Sequence, residues 1–222
     1  MTRSVLVIAA HPDDELLGPG ATIARHVAGG DRCTIAIVAD AGSARYDEPT
    51  IERVRDCARR AAGKLGVTDV RFGGLPDQAL ETLPIITINR WIERLAAELR
   101  PEWIYTHHRG DLNRDHQLVA EAALTAFRPY AAPYVRRILS FETPSSTEWA
   151  DPSPDRAFVP NVYVDVSAHL ATKLAAIAQY ETELRPAPHP RSVQALATRA
   201  AHWGSVIGVA AAEPFVLLRE IG

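Results

Sequence analysis

Residues 5–20 read VLVIAAHPDDELLGPG. Residues 5–9 form the short, uninterrupted apolar run expected of a strand buried on both faces of a parallel sheet. Polar chemistry begins where that run stops. Pro12 cannot donate to a sheet ladder and is tolerated in a first helical turn, which puts His11 at the strand's C-terminal end and Asp13, Asp14 and Glu15 at a helix start. In open α/β sheets ligands bind at that end of the strands. A histidine and a carboxylate three residues apart across such a turn can converge on one cation, and both are ordinary zinc ligands. Asp13 between them is then free to take a proton from water. The bland alternative is that the acidic run only caps a helix, since carboxylates in a first turn are favoured by the helix dipole and its free N–H groups. Capping leaves His11 unexplained.

Working outward, the rest of the chain repeats the strand, loop and helix pattern. A helix over 16–28 ends at Gly29 and Gly30, and a second buried strand covers 33–38. The polar loop 40–49 leaves the same sheet edge as His11. A helix over 50–65, a short strand 69–72, the turn-rich segment Gly73-Gly74-Leu75-Pro76-Asp77 and a helical pattern over 84–99 follow. The second informative stretch opens with an apolar strand, 103–105, and continues THHRGDLNRDHQLVAEAAL, becoming helical near Asp115. Two such loops of one sheet can place side chains in the same crevice. The third ligand is then to be sought among His107, His108 and His116; His116 is favoured because its helix-start position mirrors that of Asp14.

Strands are expected over 137–142 and 161–165. The proline-rich, polar stretch between them is long for an idle connection and of the kind that serves as a lid. Ser167 is placed as the cap of a helix running to about residue 184, RPAPHPRS is a stiff break, and a helix over 192–209 precedes a closing strand, 215–218. The pattern as a whole predicts an α/β fold, Rossmann-like, with a mostly parallel central sheet and helices on both faces, in a single domain spanning 1–222.

Composition narrows the partners. A net charge of −3 over 222 residues offers no basic footprint for nucleic acid. No apolar segment is long enough to span a bilayer, and the opening one is too short for a signal peptide. Two cysteines in such a chain are not a disulfide framework, so a reduced, cytoplasmic setting is expected, with a small-molecule partner and room for a homo-oligomer. All but two of the 24 basic residues are Arg, which is a compositional bias and carries no functional reading.

Taken together, AHPDDE at 10–15 and THHRGDLNRDH at 106–116 resemble the first and second motifs of the LmbE/PIG-L family of zinc-dependent N-acetylglucosaminyl deacetylases. The likeness extends to Gly74-Leu75-Pro76-Asp77 and, for a bacterial subgroup, to SSTEW at 145–149 and HPRS at 189–192, and so covers essentially the whole chain. The resemblance implies His11, Asp14 and His116 as Zn2+ ligands and Asp13 as general base. It implies hydrolysis of the acetyl group from an N-acetylated amino sugar or glycoconjugate. One departure stands out: many relatives end the second motif His-Pro-Asp-His, where Asn113-Arg114-Asp115-His116 stands here, and Asn113 can donate a hydrogen bond but cannot deliver a proton. Cys57 also falls where the family pattern has a glutamate, which leaves Arg53 and Arg55, with Asp77, as candidate substrate contacts. His189, held extended between Pro188 and Pro190, is the candidate for the missing donor. The rival readings are a dinucleotide-binding protein, disfavoured because the turn after the first strand is acidic and lacks Gly-x-Gly-x-x-Gly, and a non-catalytic metal or carbohydrate-binding protein of the same fold.

Overall fold

The computed structural model describes residues 2–41 and 48–222, which hold seven strands and seven α-helices. They are β1 (Ser4–Ala9), α1 (Asp14–Leu17), α2 (Gly20–Ala28), β2 (Arg32–Ala41), α3 (Glu48–Leu65), β3 (Asp69–Pro76), α4 (Ile85–Leu99), β4 (Trp103–His107), α5 (Arg114–Ala126), β5 (Arg137–Phe141), β6 (Val162–Asp165), α6 (Leu170–Ile177), α7 (Val193–Ile207) and β7 (Ala212–Glu220). The sheet order is β3-β2-β1-β4-β5-β7-β6. β1 to β5 run parallel, and β7 and β6 complete the edge in antiparallel pairing.

The uninterrupted apolar run of β1 is explained by two cores. Val5, Val7 and Ala9 face one of them, and Leu6, Ile8 and Ala10 the other. Side chains alternate along a strand, so apolar residues at every position require a helical layer on each face. On the first face lie Ile23 and Ala24 of α2, Ala58, Ala61 and Leu65 of α3, Ile177 of α6 and Leu196 of α7. On the second lie Ile88, Ile92 and Leu95 of α4 and Val119, Ala122 and Ala123 of α5. β1 and β4 are direct neighbours in the sheet, and the strand numbering reverses between them. The two motif loops leave the sheet there, at its C-terminal edge, where a crevice forms in this architecture.

Three local expectations are corrected. The helix expected over 16–28 is two: α1 stops at Leu17 and α2 starts at Gly20, with Gly18 packed so closely on the Phe141 ring that a Cβ there would overlap it. The break is closed by a buried ion pair. Lys173 Nζ donates to the carbonyls of Leu17 at 3.2 Å and Gly18 at 2.8 Å and to Glu213 Oε1 at 2.6 Å, and the Glu213 carboxylate accepts the N–H groups of Ala21 and Thr22 at 3.0 and 2.7 Å. One pair thus satisfies both orphaned helix ends. Ser167 does not cap a helix; its hydroxyl bonds Asp165 Oδ1 at 2.6 Å, and α6 runs from Leu170 only to Ile177. β7 is longer than expected at both ends because it pairs on both sides, with β5 and β6. Most of the loop 40–49 lies outside the described residues. Among the described residues no helix is long and apolar enough to cross a membrane.

Candidate metal centre and active site

The first motif turns sharply. Asp13 precedes α1 with φ 108°, a left-handed conformation that costs any residue with a Cβ, and its side chain makes no capping bond. The capping explanation of the acidic run therefore fails for Asp13. Glu15 holds the turn, its Oε2 accepting the Asp13 N–H at 3.0 Å while Oε1 accepts the Tyr180 hydroxyl at 2.7 Å. Asp14 folds back on its own turn and accepts the His11 N–H at 2.8 Å through Oδ2.

His11, Asp14 and His116 meet in a buried triangle. His11 Nδ1 and His116 Nε2 are 3.2 Å apart, and each lies 3.3 Å from Asp14 Oδ2. Outer carboxylates set both rings. His11 Nε2 donates to Asp115 Oδ2 at 3.0 Å, which leaves the lone pair on Nδ1. His116 Nδ1 lies 3.1 Å from Asp111 Oδ1, close though off the hydrogen-bond axis, and the contact favours its proton there. Histidines oriented by carboxylates in this way are the usual supports of a bound metal. Three lone-pair-bearing atoms facing one another at such distances repel unless a proton or a metal ion lies among them. The edge of a tetrahedron with bonds typical of zinc to nitrogen and oxygen is about 3.3 Å, so the donor set fits zinc in kind and in size.

Electrostatics agree. Burial alone would lower the His11 imidazole, and the Asp115 and Asp14 carboxylates outweigh it, raising it to about 10. His116, buried likewise, is raised to about 9, chiefly by Asp14 and Asp111. Asp14 is held well below the carboxylate range: burial opposes this, and the His116 and His107 rings prevail. The pocket favours positive charge.

The other two histidines do different work. His107 Nε2 accepts the Ala10 N–H at 2.8 Å, its ring stacks on His116 at 4.0 Å, and burial and His116 push it down to about 3, so it is a neutral strut. His108 Nε2 donates to the Arg156 carbonyl at 2.9 Å, tying the second motif to the proline-rich segment. That segment is an anchored clamp: Thr147 Oγ1 donates to Asp111 Oδ2 at 2.5 Å, Ser146 Oγ reaches Asp111 Oδ1, and Arg156 donates to the Asp111 carbonyl at 3.1 Å. Gly110 passes so near the Arg156 backbone that a Cβ could not fit.

A cleft of 590 Å³ is lined by Gln78, Asn113, Asp115, Trp149, His189 and Arg191, among others, and is joined to the triangle through Gln78 and Asp115, which contact His11, and to Asp13 through Arg191. Asn113 caps α5 through Oδ1 and donates from Nδ2 to Gln78 Oε1 at 3.2 Å. His189 lies edge-on to Trp149. Asp77 Oδ1 is 3.5 Å from His11 Nε2, beside the triangle. Arg53 and Arg55 are not among the lining residues. Arg53 is exposed and paired with Glu181 at 3.5 Å, and Arg55 Nε donates to Asp40 Oδ2 at 2.5 Å, while Asp40 also takes the Gly74 N–H. Asp111, Gln78 and Arg191 join the site without belonging to the candidate residues of the sequence, and Glu15 acts through its contacts rather than as a helix cap. For Arg191 the only signal was its place in HPRS. Its Nη1 donates to Asp13 Oδ2 at 2.9 Å.

An Escherichia coli (strain K12) protein, the uncharacterized deacetylase YaiS, is 29% identical over 189 residues, spanning 81% of this chain and 91% of that one. The conserved protein TT1542 from Thermus thermophilus shares the fold with a TM-score of 0.81 and 26% identity, over 100% of this chain and 97% of that chain. The N,N'-diacetylchitobiose deacetylase from Pyrococcus horikoshii superposes with a TM-score of 0.77 at 20% identity, over 97% of this chain and 84% of that chain, a likeness of fold. The family model described as PIG-L, GlcNAc-PI de-N-acetylase, matches residues 6–127, which include most of β1, all of β4 and both motif loops. The chain belongs to the PIG-L family.

Proposed function

We propose that the protein is a zinc-dependent hydrolase that removes the acetyl group from an N-acetylated amino sugar or its conjugate. The observation that carries this reading is the convergence of His11 Nδ1, Asp14 Oδ2 and His116 Nε2 at 3.2–3.3 Å beside a carboxylate, Asp13, that neither caps a helix nor joins the triangle. His11, Asp14 and His116 would hold the ion. A zinc ion with two histidines and one carboxylate acts as a Lewis acid toward a carbonyl and acidifies water.

Asp13 is the base. It takes one proton from the attacking water and returns it to the departing nitrogen, so the amide C–N bond breaks to a free amine and acetic acid, whose remaining proton is lost to solvent to give acetate. Asn113 Nδ2, on the cleft wall, is a donor suited to the developing oxyanion. His189 accepts the Arg191 N–H at Nδ1 at 3.1 Å, which puts its own proton on Nε2, where it can be donated to the substrate. Sugar hydroxyls would meet Gln78 and Ser145, with Trp149 offering an aromatic face and Asp77 a carboxylate near His11. Arg53 and Arg55 would contact only a substrate that extends beyond the cleft.

Acetate release from a panel of N-acetyl sugars, with zinc-loaded and chelated protein, tests the reading. Release from at least one sugar, lost on chelation and restored by zinc, is the expected result; no release by the loaded protein from any of them overturns it. Within that assay His189→Ala is expected to keep its metal and to lose at least about tenfold in kcat/KM, roughly 1.4 kcal/mol of transition-state stabilisation. Kinetics identical to wild type would return His189 to a structural place in its proline-bound loop.

A further inference from the structure

Arg191 takes no part in the proposed proton transfer, although among the described residues it makes the one side-chain hydrogen bond to the carboxylate of Asp13. Arg191 Nη1 donates to Asp13 Oδ2 at 2.9 Å, and Nε donates to Ser145 Oγ at 2.6 Å. The arginine is delivered by a stiff base. Pro186, Pro188 and Pro190 fix the preceding backbone, the Arg191 N–H is taken by His189 Nδ1, and Ser192 caps α7 by accepting the Ala195 N–H at 3.1 Å. A guanidinium presents its donors in a rigid plane, so anchoring one edge on Ser145 sets the direction in which the other edge points.

Asp13 is therefore gripped twice. Tyr180 and Glu15 hold its left-handed main chain from below, and Arg191 holds its carboxylate from the cleft side. Oδ2 is occupied by the guanidinium, and Oδ1 takes no hydrogen bond among the described residues. A carboxylate held at one oxygen cannot rotate away from the proton it must take, and a misplacement of about 1 Å is costly at such a step.

The geometry points to Arg191 as the positioning residue of Asp13, holding Oδ2 so that Oδ1 is the oxygen presented for proton transfer. This rests on the deacetylase reading, in which Asp13 is the base. Lysine at this position keeps the charge and loses the fork, so Arg191→Lys separates orientation from charge.

The test compares Arg191→Lys in two backgrounds. With Asp13 present, kcat for acetate release is expected to fall at least about tenfold, with KM changed by less than about threefold and metal content kept. With Asp13→Asn, the same substitution is expected to change kcat by less than about twofold, because residues acting as a unit are not additive. Guanidinium ion added to Arg191→Ala is expected to restore part of the lost rate. Equal losses in both backgrounds, or a loss confined to KM, overturn the proposal. If the wild-type protein releases acetate from no N-acetyl sugar, the deacetylase reading falls, and crystal structures of Arg191→Lys and Arg191→Met then decide the positioning. An Asp13 carboxylate displaced from its wild-type rotamer in both supports it; one left in place overturns it.

Discussion

His116→Ala protein is expected to bind zinc more than about a hundredfold more weakly than wild type, whose stoichiometry should be one ion per chain. Loss of a carboxylate that merely supports a ligand costs about 10–100-fold in affinity, so loss of the ligand itself costs more. The fold should survive. His116 lies at the start of α5, whose apolar face, with Val119, Ala122 and Ala123, stays packed on the second core. Elemental analysis after purification and a competition titration with a chelator check the result, with the far-ultraviolet spectrum as the control for folding. Zinc retained at wild-type affinity would take His116 out of the ligand set. His107 would then be the nearest imidazole, with its Nε2 3.4 Å from Asp14 Oδ2, although that nitrogen already accepts the Ala10 N–H.

The same cluster sets a pH dependence. His11 is raised to about 10 and His116 to about 9 because the surrounding carboxylates overcome the cost of burial. Below those values a proton occupies a ring that the metal must use. A ligand must give up its proton to bind, so zinc uptake releases protons and its affinity rises with pH until both rings have lost theirs, His116 at about 9 and His11 at about 10. Calorimetry in buffers of different ionisation enthalpy reads the protons directly. Affinity that stays flat below those values would show that both rings are already neutral.

The parts of this molecule that were legible in the sequence are those with a local or periodic signature. β1 and β4 are apolar at successive positions because both faces are covered, and the two motif loops stand out because a histidine with clustered carboxylates has no packing explanation. The contacts that finish the site are of another kind. Arg191 and Asp13 are 178 residues apart, and nothing in either segment alone says that they meet. The Lys173–Glu213 pair that closes the α1–α2 break is equally silent in sequence, so the apolar periodicity was carried straight through Gly18 and Pro19. Arg55 shows the converse. Its charge and position on α3 suit a substrate contact, but Asp40 at the end of β2 is nearer, and the arginine joins α3 to the β2 and β3 ends. Ser167 likewise had a stronger local partner, Asp165 two residues before it, than the helix end it was expected to cap.

Asp13→Asn is expected to lower kcat for deacetylation by at least about a hundredfold while leaving zinc content and fold unchanged, the scale of a lost general base. The substitution suits the site unusually well. Asparagine tolerates the left-handed conformation at least as readily as aspartate, so the φ of 108° is no obstacle, and the amide oxygen can still accept from Arg191 Nη1. The Asp13 N–H to Glu15 bond does not involve the Asp13 side chain and remains. Only basicity is removed. Alanine would be a poorer test, because it disfavours that backbone region and strips Arg191 of its partner, mixing strain and a lost ion pair with the chemistry. Burial, opposed by Arg191 and reinforced by Asp14, raises the carboxylate well above the ordinary aspartate range. Acetate release and elemental zinc measured on the same preparation decide the matter. Wild-type turnover by a fully zinc-loaded Asp13→Asn protein would remove Asp13 from proton transfer and leave the left-handed turn, with its arginine, as a device for holding Asp14 in the triangle.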